Sequence, residues 1–383
     1  MTRQVTVQPP APAPGFWEDA RASLSGLPGG SGLNIAYEAV DRHTTGPFAG
    51  RVALRCLAES GPPHELTYRE LAERSSRFAS AMASLGVGSG ERVFVLTGRI
   101  PELYIAVLGG LKLGAVVCTL FAAFGPETIA QRLRLGFGRV LVTTPELYDR
   151  KVAASRAKLP DLRQVLLTGD PTECLQRPET GSLTTALDEA AAEFPIAPTR
   201  AEDPALLHFT SGTTGKPKGA VHVHGAIVGH VATARLVLDL RAKDVYWCTA
   251  DPGWVTGTSF GIVAPLVIGA TSIVDEAEFD VHRWYRTIDE QQVTVWYTAP
   301  TAIRRLMRAG DQAAEAHDLS SLFAVASVGE PLNRTLDLDS LDFLNFVVEI
   351  DNRTGVQTSE SDYPKLTTLS GCVDYLSGHP APA

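Results

Sequence analysis

Apolar residues recur along the chain in two rhythms: short continuous runs, and longer segments in which they return every three or four positions. Thr67 and Glu70 have the spacing of a capping box. Leu71, Phe78, Met82 and Leu85 then share one helical face, and Gly86 supplies the stop. Residues 92–96 read as a strand, and further strands are predicted at 116–120, 140–143, 165–167, 245–248, 271–274, 293–296 and 323–326, most of them separated by helical segments. Such alternation predicts an α/β fold of mainly parallel sheets flanked by helices.

Two apolar stretches, 105–124 and 260–274, have nearly the length of a membrane span, but Lys112 and three glycines interrupt the first and Pro265 the second. Both are predicted to be buried helix and strand, so no membrane partner is expected. The chain opens Met1-Thr2-Arg3 and runs through Gln8-Pro9-Pro10-Ala11-Pro12-Ala13-Pro14 without the apolar core of a secretory signal. Residues 1–29 read as a disordered Pro/Ala-rich leader.

With 383 residues, 44% of them hydrophobic and 20% charged, the chain can bury a core larger than one small domain needs. Its net charge of −9 argues against a nucleic-acid partner, since such proteins usually present a basic face. Cys56, Cys118, Cys174, Cys248 and Cys372 are scattered and form no C-x-x-C pair, so neither a disulfide framework nor a zinc ribbon is indicated and a reducing cytoplasm fits. His222, His224 and His230 have a spacing that invites a metal, yet no cysteine or carboxylate lies close in sequence to complete a site. They are expected to pack or hydrogen-bond, and no metal site is expected.

The strongest chemical signal is the segment Leu206-Leu207-His208-Phe209-Thr210-Ser211-Gly212-Thr213-Thr214-Gly215-Lys216-Pro217-Lys218-Gly219. The glycines let backbone N–H groups turn toward an anion, Thr210, Ser211, Thr213 and Thr214 add hydroxyl donors, and Lys216 and Lys218 add positive charge. This set suits a polyphosphate. It is not a Walker A loop, because only Thr213 and Thr214 separate Gly212 from Gly215-Lys216, and Pro217 follows.

Thr210 to Gly219 resembles the phosphate-loop signature of the adenylate-forming enzymes, which comprise acyl-CoA synthetases, luciferases and peptide-synthetase adenylation domains. Within that family the chain is most similar to acetyl-CoA synthetases. The similar segments are Asn34-Ile35-Ala36-Tyr37-Glu38, Pro101-Glu102-Leu103-Tyr104, Ala250-Asp251-Pro252-Gly253-Trp254-Val255-Thr256-Gly257-Thr258, the run from Val295 to Arg304, and Ser327-Val328-Gly329-Glu330-Pro331-Leu332-Asn333. The resemblance implies a partial adenylation domain over residues 30–333. It also implies that Gly212 to Lys218 hold the phosphates that leave as pyrophosphate, that Gly329, Glu330 and Pro331 line the adenine pocket, and that Trp254, Val255, Thr256 and Gly257 wall the acyl pocket. ATP, Mg²⁺ and CoA are the implied substrates and cofactors, with a short, acetate-like acid as acyl donor; ordinary core packing is the competing role for Trp254.

The family's later motifs, including its ribose aspartate and C-terminal lid, have no counterpart after Asn333, so no catalytic residue can be named. Thr168-Gly169-Asp170 lies upstream of the phosphate loop and reads as a strand end and turn. From residue 335 onward eight acidic residues face Arg353 and Lys365, a net −6 in a short segment that marks a separate module. Leu338-Asp339-Ser340-Leu341-Asp342-Phe343 and the stretch 362–376 resemble parts of an acyl carrier protein, which makes 334–383 a partial, all-helical carrier-like tail with Ser340 as candidate site for 4′-phosphopantetheine. The plainer alternative is that Asp339 or Ser340 caps an amphipathic helix bearing Leu341, Leu344 and Val348. The junction near 333–338 reads as an internal deletion joining two frames, which would expose apolar sheet surface and favour self-association. Two functions follow as expectations: an acid–thiol ligase working through an acyl-adenylate with CoA or a pantetheine thiol, or an inactive truncated nucleotide-binding or carrier-like remnant.

Overall fold

The computed structural model describes residues 15–210 and 217–329. Among them the strands, in chain order, are β1 (Val52–Leu57), β2 (His64–Thr67), β3 (Arg92–Leu96), β4 (Val116–Thr119), β5 (Val140–Thr143), β6 (Gln164–Leu167), β7 (Gly181–Ser182), β8 (Pro204–Thr210), β9 (Lys218–Val223), β10 (Val245–Cys248), β11 (Thr271–Asp275), β12 (Val295–Thr298) and β13 (Ala324–Ser327). They form two sheets, one ordered β7-β6-β5-β3-β4-β8-β9 and the other β13-β12-β10-β11-β1-β2. Every pairing is parallel except β8 with β9 and β1 with β2, each at a sheet edge. The α/β fold of mainly parallel sheets is therefore present.

The central strands are continuously apolar because both of their faces are covered. Val93 and Val95 point to a core that also holds Leu71, Phe78, Leu103 and Val107 of the helices Tyr68–Ser84 and Pro101–Lys112, together with Leu54, Cys56 and Val274 of the other sheet. Phe94 and Leu96 face the opposite way, onto Ile129, Leu133 and Tyr148 of the helices Pro126–Leu135 and Pro145–Lys151. The other sheet alternates likewise: Tyr246 and Cys248 meet Ala234 and Ala264, while on the far face Trp247 stacks with Trp296 and meets Trp284 edge-on.

The capping box is formed, Thr67 Oγ1 accepting from Glu70 N at 3.2 Å while Glu70 Oε2 accepts from Thr67 N at 2.8 Å. Stretch 105–124 is the end of a helix followed by β4, and 260–274 is helix followed by β11; no helix among the described residues is long and apolar enough to cross a membrane. The strand expected at 293–296 begins two residues later, after the left-handed Gln292 (φ 53°).

The leader expected through residue 29 is corrected from residue 15 onward. Residues Phe16–Ala22 form a helix whose Ala20 packs on Val228 and Ala232, and the backbone N–H groups of Ser25 and Gly26 donate to the buried Glu38 carboxylate at 3.0 and 2.6 Å. Apolar contacts and a buried acceptor order a segment whose composition resembled a linker. The carrier-like tail lies outside the described residues.

Candidate functional site

In an open parallel sheet, ligands bind outside the carboxyl ends of the strands, where neighbouring connections leave in opposite directions. That point falls between β10, whose chain continues to β11 on one side, and β12, whose chain continues to β13 on the other. The two strand ends are locked together. Thr249 N donates to Tyr297 O at 2.9 Å, and Thr249 Oγ1 donates to Thr298 Oγ1 at 2.6 Å.

The segment predicted to wall the acyl pocket leaves β10 here. Asp251 Oδ1 accepts from Gly253 N at 2.7 Å, closing a tight turn, and the helix Val255–Thr258 starts immediately after it. Two glycines are required by contact rather than by φ: a Cβ on Gly253 would lie 2.2 Å from Phe121 N, and one on Gly257 would lie 2.0 Å from Asp251 O. Trp254 is 44% exposed, so it lines a surface and does not fill the core. Its ring leans on Phe121 and Phe124 of the loop after β4, at centroid distances of 5.6 and 6.1 Å. Behind it Thr258 Oγ1 meets Thr119 Oγ1 at 2.9 Å and donates to Pro252 O at 2.8 Å. The carboxyl ends of both sheets thus face one another across this aromatic group.

Asp251 was not singled out by its residue type alone. Burial raises its pKa to about 6 against the opposing pull of the Gly253 N–H and the Arg99 guanidinium. A carboxyl titrating near neutrality at the mouth of a site is a recognised functional signal, and the Asp-Pro-Gly-Trp string was its only trace in the sequence.

The strands that flank the predicted phosphate segment, β8 and β9, pair antiparallel. Thr210 and Lys218 face each other as the last paired residues of β8 and β9, with Thr210 Oγ1 donating to Lys218 O at 3.5 Å. Ser211, Gly212, Thr213, Thr214, Gly215 and Lys216 lie outside the described residues, as do Glu330, Pro331 and Ser340. Gly329 follows β13 with φ 107°, a conformation that favours glycine, in open space. Of the predicted site residues that are described, Trp254 to Gly257 follow β10, Gly329 follows β13 and Thr210 closes β8, all at carboxyl ends, while Lys218 opens the antiparallel β9 opposite Thr210.

The histidines pack and hydrogen-bond. His224 Nδ1 accepts from Ile35 N at 3.1 Å, His230 sits against Phe260, and His222 against His208. Burial lowers the pKa of His208, His224 and His230 to about 4. Among the described residues no group of three histidine, cysteine or carboxylate side chains is placed to hold a metal ion. Thr168-Gly169-Asp170 is a turn, with Asp170 Oδ1 capping the next helix through Thr172 N at 2.8 Å.

A two-sheet α/β fold with the antiparallel β8–β9 pair beside the carboxyl ends of its strands fits an AMP-binding enzyme. The chain belongs to that family, which matches residues 42–347. It is 44% identical over 306 residues to the acetyl-coenzyme A synthetase of Bacillus subtilis (strain 168), covering 79% of this chain and 52% of that protein. It is 37% identical over 317 residues to the acetyl-coenzyme A synthetase of Streptomyces coelicolor, covering 79% and 48%. The crystal structure of a Brucella canis acyl-CoA synthetase shares the fold with a TM-score of 0.75 at 31% identity, covering 88% of this chain and 58% of that one. The chain thus spans about half the length of the curated relatives it matches. The family match includes residues 338–346, the segment read as carrier-like.

Proposed function

We propose that this chain contributes the phosphate hairpin and the acyl wall of an acid-activating site, in which a short, acetate-like carboxylate attacks the α-phosphorus of ATP. Acyl-adenylate forms, pyrophosphate leaves, and a thiol of CoA or of a pantetheine arm then displaces AMP to give the thioester. The observation that carries the reading is the pairing of Thr210 with Lys218 at the tip of β8 and β9, which sets a hydroxyl and a cation at the two ends of the glycine- and threonine-rich loop. In-line displacement spreads negative charge over the reacting phosphorus and the departing pyrophosphate, and fixed donors and cations lower that barrier. Mg²⁺ would enter with the nucleotide phosphates, and we assign it no protein ligand among the described residues.

Trp254 to Gly257 would bound the acid, and Gly329, Glu330 and Pro331 would contact adenine. The buried free thiols of Cys56, Cys118, Cys174 and Cys248 favour a reducing, cytoplasmic setting. Acid-dependent ATP–pyrophosphate exchange tests the proposal, with acetate, propionate and longer acids and a Lys218→Ala control. Exchange with a short acid that falls at least tenfold in the variant is expected. Folded protein that exchanges with no acid would instead identify an inactive remnant. Modification of Ser340 is a separate proposal, tested by mass gain with CoA and a phosphopantetheinyl transferase.

A further inference from the structure

The backbone that carries Trp254 is tied to one residue. Asp251 Oδ1 accepts from Gly253 N at 2.7 Å and Asp251 O accepts from Trp254 N at 3.1 Å, so two successive N–H groups end on it. The same carbonyl oxygen packs on Gly257, where a Cβ would lie 2.0 Å away. The turn closed in this way presses Gly253 onto the backbone of Phe121, which belongs to the loop after β4 in the other sheet.

The indole itself is 44% exposed, and its aromatic neighbours Phe121 and Phe124 lie at centroid distances of 5.6 and 6.1 Å. A ring so exposed takes its direction from its backbone more than from packing. That backbone, at φ −99° and ψ 152°, follows directly from the Asp251 turn. Keeping a carboxyl here is unfavourable: burial pushes its pKa up to about 6, against the pull of the Gly253 N–H and the Arg99 guanidinium and with Glu278 adding to the rise. A leucine of similar size would avoid that desolvation, so the position uses the acceptor oxygen.

We propose that Asp251 is the positioning residue of the acyl wall: it holds the Trp254 indole against Phe121 and Phe124, and the place of that ring sets how tightly a short carboxylic acid is bound. This deepens, and rests on, the acid-activation reading.

Two measurements on the full chain test it, each comparing Asp251 with Asp251→Ala and Asp251→Asn. The first is ATP–pyrophosphate exchange, with KM determined separately for the acid and for ATP. The second is acrylamide quenching of tryptophan fluorescence in a Trp17→Phe background, where Trp254 is the exposed indole and Trp247, Trp284 and Trp296 are at most 5% exposed. Asp251→Ala should raise the KM for the acid about tenfold, leave that for ATP within about twofold, and increase quenching. Asp251→Asn, whose amide oxygen still accepts from Gly253 N, should stay within about threefold for the acid and leave quenching unchanged. Equal losses for acid and ATP, quenching untouched by Asp251→Ala, or Asp251→Asn behaving like Asp251→Ala would each overturn the inference. If Asp251→Ala does not fold, Asp251→Leu makes the same comparison, since it keeps the volume without the acceptor. Wild type that exchanges with no acid would end the activation reading; quenching raised by Asp251→Ala and restored by Asp251→Asn would then still support Asp251 as the residue that holds Trp254, and unchanged quenching would overturn it.

Discussion

Thr119 and Thr258 meet hydroxyl to hydroxyl at 2.9 Å, and both are buried. This contact joins the last residue of β4, in one sheet, to the short helix that follows β10 in the other, and Thr258 Oγ1 also holds Pro252 O at 2.8 Å. Replacing Thr258 by valine keeps the shape and strands two buried polar groups, at about 1–3 kcal/mol. Urea unfolding of Thr119→Val, Thr258→Val and the double variant should show the double well short of additive. Additivity would mean that the hydroxyls do not interact.

Gly253 and Gly257 hold Trp254 in place through backbone that cannot yield. The atoms a Cβ would strike are Phe121 N at 2.2 Å and Asp251 O at 2.0 Å, neither of them the end of a flexible side chain. Alanine at either position should destabilise by about 2 kcal/mol or more and quench or shift the fluorescence of Trp254. Gly229 is the contrast: it lies inside the helix Ile227–Val237 with nothing within 4 Å of its Cβ position, so Gly229→Ala should stabilise by about 0.5–1 kcal/mol. Thermal unfolding with opposite signs at the two kinds of glycine is the expected result.

How far the sequence disclosed this arrangement depended on whether the forces were local. The helix after Thr67 was legible because its cap, its apolar face and its stop are all contiguous, and β3 and β5 because burial on both faces leaves an unbroken apolar run. Strand β2, His-Glu-Leu-Thr, was not: it is a polar edge strand held by pairing with β1 and by the Arg55–Glu65 ion pair at 2.7 Å. Exposed β9 merged with the phosphate loop for the same reason. The division into two sheets hinges on β1 pairing with β11, more than 200 residues away, which no local pattern encodes. The Thr210–Lys218 and Trp254–Gly257 segments stood out as motifs, whereas Asp251 emerged only once its burial was visible.

Lys112 is completely buried, with Nζ 2.7 Å from Asp41 Oδ1, 2.8 Å from Ala72 O and 2.9 Å from Ser76 Oγ. Burial lowers the lysine's pKa and raises the aspartate's, and their mutual attraction opposes both shifts. Lys112→Met removes the attraction and leaves the carboxylate's desolvation in place, a loss of about 3–5 kcal/mol. Adding Asp41→Asn should recover a substantial part of it in chemical denaturation. A double variant as unstable as the single would show that packing, not charge, sets the loss.

Four histidines make the fold sensitive to acid. Burial holds His43, His208, His224 and His230 at about 4, whereas each titrates at about 6.5 once the chain unfolds. Above 6.5 all are neutral in both states and stability is complete. As the pH falls the unfolded chain takes up protons first, so stability drains away between 6.5 and 4 at up to about 3 kcal/mol per histidine. Asp251 runs the other way: its folded pKa of about 6 exceeds the ordinary carboxylate value, so its burden is greatest above 6 and is relieved as the pH falls. Asp41 and Glu276, also raised by burial, add to that relief, while the combined loss from the four histidines rivals the roughly 5–15 kcal/mol that holds a domain together. The urea midpoint should therefore fall steeply from pH 6.5 toward 4. His208, with neither ring nitrogen hydrogen-bonded, is the cleanest one to remove. His208→Leu should reduce the slope, and Asp251→Asn should raise the midpoint at pH 7.5 with little effect at pH 4.5. A midpoint that stays level between pH 7 and 5 would mean that these imidazoles reach water in the folded protein.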